Sequence, residues 1–399
     1  MSFESLWPHL SALHGDATPA SAVEWKVLYA SRPRPLLVPA ACASQARAAI
    51  DFFVANRILR WWGHLMLLLD RFMPRSRLLP LARSERFPTD RLFGEGAALE
   101  TRFAVHCGSP GPFRKLTIFC PPKTGSGNGE ISKVASQESA DHSVTREVYW
   151  LRTLGNLPSM ARYLPRLLRE GTLPCGRRFL TMSVLPFGAQ SSRFGEPHFQ
   201  FLRMLAERDE VTTRWSASVP FRRLSGRIAA VSESLDPQYR VLFDEILRQI
   251  DEEIGRIELP ACLVHGDFAP WNVRIVDGQL LVFDWEYAEA RGNPLHDFLH
   301  FHLVTRATRH RTIGIAFMRK LLDGASDHAS RTFGRDSGVV FATPVLTLHY
   351  LLDTVAFYTE ASKFLDINDS VVRTFLEVLE QRDRWLPQPM AAFGALSER

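Results

Sequence analysis

Apolar and polar positions change their period along this chain. Between about Ser44 and Arg71, apolar residues recur at three- and four-residue spacing: Phe52, Phe53, Ile58, Leu59, Trp62, Leu65, Met66 and Leu69. That period predicts one long helix. From about Thr101 the period falls to two, and Thr101–Cys107, Lys115–Cys120 and Glu130–Ala135 read as strands. Gly108-Ser109-Pro110-Gly111-Pro112 separates the first two, and the glycine-rich turn Lys123–Gly129 leads into the third. A helix over about Ser139–Leu154 follows, with Val144, Val148, Leu151 and Leu154 on one face. Arg177–Leu185 reads as a buried strand. Beyond it the pattern is mainly helical, over His198–Ala206, Phe221–Leu235, Gln238–Ile257, Thr312–Leu322, Pro344–Leu365 and Ser370–Arg382. The stretch from Trp385 onward is Pro-rich and reads as irregular.

One segment interrupts the helices. After a short strand at Cys262–Val264, Val273–Val276 and Gln279–Phe283 are joined by Asp277-Gly278. Asp-Gly favours a two-residue hairpin turn, because both central residues take positive φ. Counting outward pairs Asn272 with Phe283, and neighbouring strands lie ~4.8 Å apart. Asn272 and Asp284 are therefore expected side by side. An amide oxygen beside a carboxylate is a hard-oxygen pair of the kind that suits Mg²⁺ with phosphate. Asp267, on the loop entering the hairpin, could orient or deprotonate an attacking hydroxyl.

His265-Gly266-Asp267 with Asn272, then Phe283-Asp284-Trp285-Glu286, resembles the catalytic loop and metal-binding segment of the aminoglycoside phosphotransferase and choline kinase family. Gly292-Asn293-Pro294-Leu295-His296-Asp297 resembles the stretch that begins a supporting helix there. The resemblance covers about three quarters of the chain and is specific at His265–Glu286. It implies an α+β, two-lobed protein-kinase-like fold: a small antiparallel-sheet lobe, a larger mainly helical lobe, and an N-terminal helical extension. The expected divisions are an extension at 1–88, a nucleotide-binding lobe at 89–186 and a catalytic, acceptor-binding lobe at 187–399.

By the same resemblance the cofactors are ATP and Mg²⁺, and the reaction is transfer of the γ-phosphoryl to a hydroxyl. Asp267 is the catalytic residue, and Asn272 and Asp284 hold the metal. Lys133 holds the phosphates and Glu147 braces it. Gly108 and Gly111 belong to the phosphate-covering loop, although their spacing departs from the kinase Gly-x-Gly-x-x-Gly pattern. Asp297 is expected to hydrogen-bond the catalytic loop, and Glu286 to add a contact near the metal. Pro186-Phe187-Gly188-Ala189 is the expected linker where an adenine meets main-chain groups. Asp353, Tyr358, Glu360, His349 and Lys363 are candidates for an acceptor site or for helix partners.

The acceptor is expected to be a small molecule, a saccharide or lipid-linked saccharide. Gly-Pro-Phe-Arg-Lys, and Arg-Pro-Arg-Pro ahead of a Trp/Arg helix, are similar to bacterial phosphotransferase-like proteins of cell-surface polysaccharide synthesis. An aminoglycoside or amino-alcohol kinase is the alternative, and a nucleotide-binding scaffold without turnover is another. His296 and His300 stand at the i, i+4 spacing of H-E-x-x-H zinc hydrolases, but Asp297 replaces the Glu and no third ligand follows closely. Lys123–Gly129 lacks the Gly-Lys-Ser/Thr of a Walker loop.

Composition sets the remaining bounds. The 399 residues are 46% hydrophobic and 23% charged, an ordinary globular balance, with a net charge of +5. That excess suits an anionic ligand or membrane face. There is no Lys/Arg run and no nucleic-acid motif, so nucleic acid is not expected. Five scattered cysteines without a C-x-x-C pair point to a reducing compartment. Met1–Leu10 lacks a basic start and an apolar segment, and Leu65–Leu69 is too short to span a bilayer. The expected location is cytoplasmic. The Trp/Arg helix packs on the body in one reading; in the other, residues 52–77 make a peripheral contact at the inner face of the membrane.

Overall fold

The computed structural model describes residues 23–29, 34–40, 42–54, 56–72, 79, 81–84, 92–93, 103–108, 114–121, 129–185, 193–208 and 210–387. The chain divides into two units, residues 1–187 with 281–286 and residues 188–280 with 287–399.

The first unit is built on one antiparallel sheet. Its strands are β1 (Val23–Leu28), β2 (Leu36–Pro39), β3 (Leu81–Ser84), β4 (Ala104–Cys107), β5 (Lys115–Cys120), β6 (Glu130–Ala135), β7 (Leu167–Thr172) and β8 (Arg178–Ser183). They lie in the order β3-β1-β2-β4-β5-β6-β8-β7. The period-two pattern at 115–120 and 130–135 is thus realised, because alternate side chains enter opposite covered faces. Trp25, Val27, Leu37, Val105, Leu116, Ile118 and Val134 form one core. Leu28, Leu36, Val38, Ala104 and Phe119 turn to the other, where Ala46, Ala49 and Ile50 of helix Ala43–Phe53 meet them. Phe52 stacks on Phe119, with ring centroids 4.4 Å apart.

The N-terminal region is helical as expected, but it is also part of the sheet. Leu36 and Leu37 pair with His106 and Val105, so the boundary expected near residue 88 is no break in the strand order. The single helix expected over 44–71 is two, Ala43–Phe53 and Arg57–Phe72. Asn56 divides them: its Oδ1 accepts from the N–H groups of Ile58 and Leu59 at 3.0 and 3.1 Å, which starts a new helix. Pro186–Ala189, Gly111 and most of Lys123–Gly129 lie outside the described residues.

Helices dominate the second unit: Glu196–Ala206, Val219–Val231, Pro237–Ile254, His296–Thr308, Ile315–Phe333, Gly338–Ser362 and Ser370–Glu380. A small sheet joins β13 (Glu289–Gly292), β10 (Glu258–Val264) and β9 (Val211–Arg214) in that order. β10 starts earlier than the sequence pattern suggests and takes in Pro260, opposite Thr212. Gly338–Ser362 is long and apolar enough to cross a membrane by length and composition. Within its apolar window 83% is buried inside the structure, as in a core helix. β11 (Val273–Val276) and β12 (Gln279–Val282) form the expected hairpin, and Asp277 and Gly278 have φ of +50° and +77°.

Candidate active site

In the sheet unit, the polar residues singled out from the sequence meet around one lysine. Lys133 lies in the middle of β6, between Thr117 of β5 and Leu180 of β8. Its Nζ donates to both oxygens of Glu147, at 2.6 and 2.8 Å, and to Asp284 Oδ1 at 2.8 Å. Glu147 comes from helix Glu138–Gly155, whose buried face also carries Val144, Val148, Leu151 and Leu154. Its carboxylate is therefore aimed inward with the apolar stripe, and it is fully buried. Burial alone would push the Lys133 ammonium down, but Asp284, Glu147 and Glu286 outweigh that and hold its pKa above the ordinary value.

A second lysine belongs to this cluster. Lys115 of β5 donates to Glu286 and stands 3.9 Å from Asp284 Oδ1. Glu286 is buried; burial, with Asp284 beside it, raises its pKa. Glu286 is thus held by Lys115, where the sequence suggested a contact near a metal. The only sequence signal for Lys115 was its place at the head of a strand. Asp284 itself has φ of +72°, a left-handed conformation that Asp tolerates better than most residues. Gly108 closes β4 onto β5: its N–H donates to the Lys115 carbonyl at 2.9 Å, and a Cβ there would stand 2.7 Å from that oxygen. The tight strand connection leaves no room for a side chain here.

The helical unit assembles a second cluster around Asp267. β10 ends at Val264, and the next two backbone N–H groups are captured by one buried carboxylate. His265 N–H donates to Asp297 Oδ2 at 2.7 Å and Gly266 N–H to Asp297 Oδ1 at 2.9 Å. That is the supporting bond expected of Asp297. Asn272 Nδ2 donates to Asp267 Oδ2 at 2.7 Å and to the Asp267 carbonyl at 2.9 Å. On the other oxygen, His300 Nε2 meets Asp267 Oδ1 at 2.9 Å, and His300 Nδ1 meets the Tyr350 hydroxyl at 3.1 Å.

Neither His300 nor Tyr350 was expected at this loop from the sequence. The i, i+4 spacing of His296 and His300 is explained by helix His296–Thr308. His296 Nε2 lies 3.1 Å from the Gly266 carbonyl, so three residues of one helix turn grip the loop at four points. Both ring nitrogens of His300 are engaged, which leaves neither for a zinc ion without breaking these bonds. Burial, with His300 alongside, pushes His296 down to about 3, so it is neutral at neutral pH.

Gly266 makes this compactness possible. Its φ is +82°, and a Cβ at this position would stand 2.2 Å from the Tyr287 carbonyl. Gly266→Ala is expected to cost more than the roughly 1–2 kcal/mol of a left-handed non-glycine residue alone. A denaturant titration of the variant checks this, and a loss under about 0.5 kcal/mol would contradict it.

The acceptor-site candidates are largely helix partners. Asp353 is buried, with Arg227 Nη1 at 2.6 Å and Arg223 Nη2 at 3.4 Å. Burial opposes its ionisation, but Arg223, Arg227 and His349 outweigh it and hold the carboxyl below its usual range. Arg227 also reaches Glu360 at 3.4 Å, and Arg223 donates to Glu289. Tyr358 is half-buried and Lys363 closes its helix with φ of +64°. Gly111 lies outside the described residues.

Among solved structures, the apo thermostable mutant of aminoglycoside phosphotransferase APH(4)-Ia is 16% identical, with a TM-score of 0.44 over 69% of this chain and 94% of that one. Choline kinase from Cryptosporidium parvum Iowa II is 12% identical, with a TM-score of 0.48 over 71% and 90%. Amicoumacin kinase hAmiN, solved with AMP-PNP, Ca²⁺ and Ami, is 12% identical, with a TM-score of 0.45 over 68% and 87%. No curated protein matches the chain. The model of the phosphotransferase enzyme family matches residues 124–334, just over half of the 399 residues. That match spans Lys133, Glu147, Asp267, Asn272, Asp284, Asp297 and His300. The chain therefore belongs to the phosphotransferase enzyme family, and is a kinase that acts on an alcohol-type hydroxyl.

Proposed function

We propose that this protein moves the γ-phosphoryl of ATP to a hydroxyl of a saccharide or lipid-linked saccharide. The observation that carries the reading is the Asp267 carboxylate, with one oxygen held by Asn272 and the other by His300. A carboxylate fixed on both sides is oriented before any acceptor arrives, and orientation is a large part of phosphoryl-transfer catalysis. The acceptor oxygen forms its bond to the γ-phosphorus as the bond to the β-phosphate oxygen breaks. Asp267 takes the hydroxyl proton, and ADP leaves.

The remaining roles follow from charge. Lys133, kept cationic and braced by Glu147, is suited to the triphosphate. By the family resemblance a divalent cation would be held by hard oxygens, the carboxylate of Asp284 and the amide oxygen of Asn272, whose nitrogen is committed to Asp267. That set fits Mg²⁺, which neutralises developing charge on the phosphates when bound. For the acceptor class, the support is the similarity of Gly-Pro-Phe-Arg-Lys, and of Arg-Pro-Arg-Pro ahead of a Trp/Arg helix, to phosphotransferase-like proteins of cell-surface polysaccharide synthesis.

The test is transfer from γ-labelled ATP with Mg²⁺ to a panel of aminoglycosides, amino alcohols, free sugars and a bacterial glycolipid extract. Label in the sugar or glycolipid arm is the expected result. Label in the aminoglycoside or amino-alcohol arm would overturn the acceptor class and leave the kinase reading standing.

A further inference from the structure

Helix Arg57–Phe72 presents the opposite amphipathicity from an ordinary surface helix. Ile58, Trp61, Trp62, Leu68, Leu69 and Phe72 fall in one stripe roughly 120° wide at 100° per residue. All six are exposed: Ile58 by 77%, Trp61 by 64% and Phe72 by 72%. An apolar run of this size on an outer face marks an interaction surface.

The inward face is fixed by other residues. Gly63 is buried against Tyr29 and Ile50, so closely that a Cβ would stand 2.4 Å from the Tyr29 hydroxyl. That hydroxyl donates to the Leu59 carbonyl at 2.6 Å. Asp70 pairs with Lys26 at 2.6 Å and accepts from the Leu79 N–H at 3.1 Å. Met66 and Leu67 pack on the sheet core. The helix is therefore anchored through the face that carries Leu59, Gly63, Met66, Leu67 and Asp70, which holds the other apolar stripe outward.

Charge identifies what the stripe meets. Asp70 is the helix's only acid, and it is spent on Lys26. The exposed residues Arg57 and Arg71 border the stripe. We infer that Arg57–Phe72 is an interfacial helix that seats the protein on an anionic phospholipid bilayer. The Trp and Leu side chains enter the headgroup boundary, and the arginines meet lipid phosphates. A second copy of this chain fits less well, because apposing the two stripes would bring two cationic borders together.

The experiment is flotation of the full chain with vesicles of phosphatidylglycerol and phosphatidylcholine, and of phosphatidylcholine alone. Wild type is expected to float with the anionic vesicles, less so in high salt. A Trp61→Ser/Leu68→Ser variant is expected to lose about tenfold or more in partitioning with its melting transition unchanged, since both positions are exposed. Arg57→Gln/Arg71→Gln is expected to lose the preference for the anionic lipid. Absence of flotation with either vesicle, or flotation unaffected by Trp61→Ser/Leu68→Ser, would overturn the inference. So would a lipid-free dimer that this variant dissolves, in a protein that binds no vesicles.

Discussion

Asp267→Asn is expected to lower kcat for phosphoryl transfer by roughly 10²–10⁴-fold, the usual contribution of a positioned acid or base. The substitution keeps the volume of the side chain. It removes the negative charge and turns an NH₂ toward either the Asn272 amide or the His300 ring, both of which contact the native carboxylate. Asp267 is partly open to water, with 24% of its side chain exposed, so the mismatched donor can be solvated and the fold should hold. Nucleotide affinity should change little, because the triphosphate is assigned to Lys133. Steady-state kinetics together with a nucleotide titration separate the two quantities. A loss of kcat under about tenfold would remove Asp267 from the proton-accepting role.

Lys133→Met is expected to have the largest effect on stability, about 3–5 kcal/mol, the usual cost of stranding one partner of a buried ion pair. Glu147 is fully buried and both of its oxygens receive Lys133. Without the ammonium, its carboxylate has lost its counter-charge in a place water does not reach. A Lys133→Met/Glu147→Leu double variant should recover much of the loss, since an apolar pair of similar size removes the stranded charge. Neither variant should bind ATP normally. Stability and binding therefore diverge in the double variant, which a purely structural role for Lys133 would not produce. The sign of the pH dependence follows. The folded pKa of Lys133 lies above its unfolded value, so its contribution is complete at neutral pH and, on the alkaline side, is lost as the solution is taken above about pH 10. A denaturation series on both variants checks the account, and a Lys133→Met cost under about 1 kcal/mol would contradict it.

Much of the site was legible because its residues sit on short, regular local structures. The Asp277-Gly278 turn dictated a hairpin; the periods gave the strand carrying Lys133 and the helix carrying Glu147, and the family resemblance paired the two. Asp297 was legible through the family resemblance of Gly292–Asp297. Lys115 and His300 were harder to see, because their partners lie 171 and 33 residues away and no local pattern encodes such pairings. His300 did leave a trace in its spacing from His296, a spacing shared by zinc sites and by any helix face turned toward a polar loop.

The fold was least legible at its N-terminal end. β2 is only Leu36–Pro39 and is buried along its whole length, so it shows no alternation, and Pro35 and Pro39 give it the look of a loop. β7, Leu167–Thr172, lies at the sheet edge and has no fully buried residue, so it lacks an apolar face to betray it. The single long helix failed for the opposite reason. Its apolar residues are real, but they serve two surfaces: Phe52, Phe53 and Met66 turn to the core, whereas Ile58, Trp62 and Leu69 turn outward. A periodicity count sees one stripe across both helices and misses the Asn56 cap between them.

The most direct test of the central claim is an equilibrium titration of the wild-type chain with ATP, with and without Mg²⁺, repeated on Asp284→Ala. The kinase account predicts saturable binding that Mg²⁺ strengthens, and loss of that strengthening in Asp284→Ala. No ATP binding by a folded sample would contradict it, as would binding that neither Mg²⁺ nor Asp284 affects.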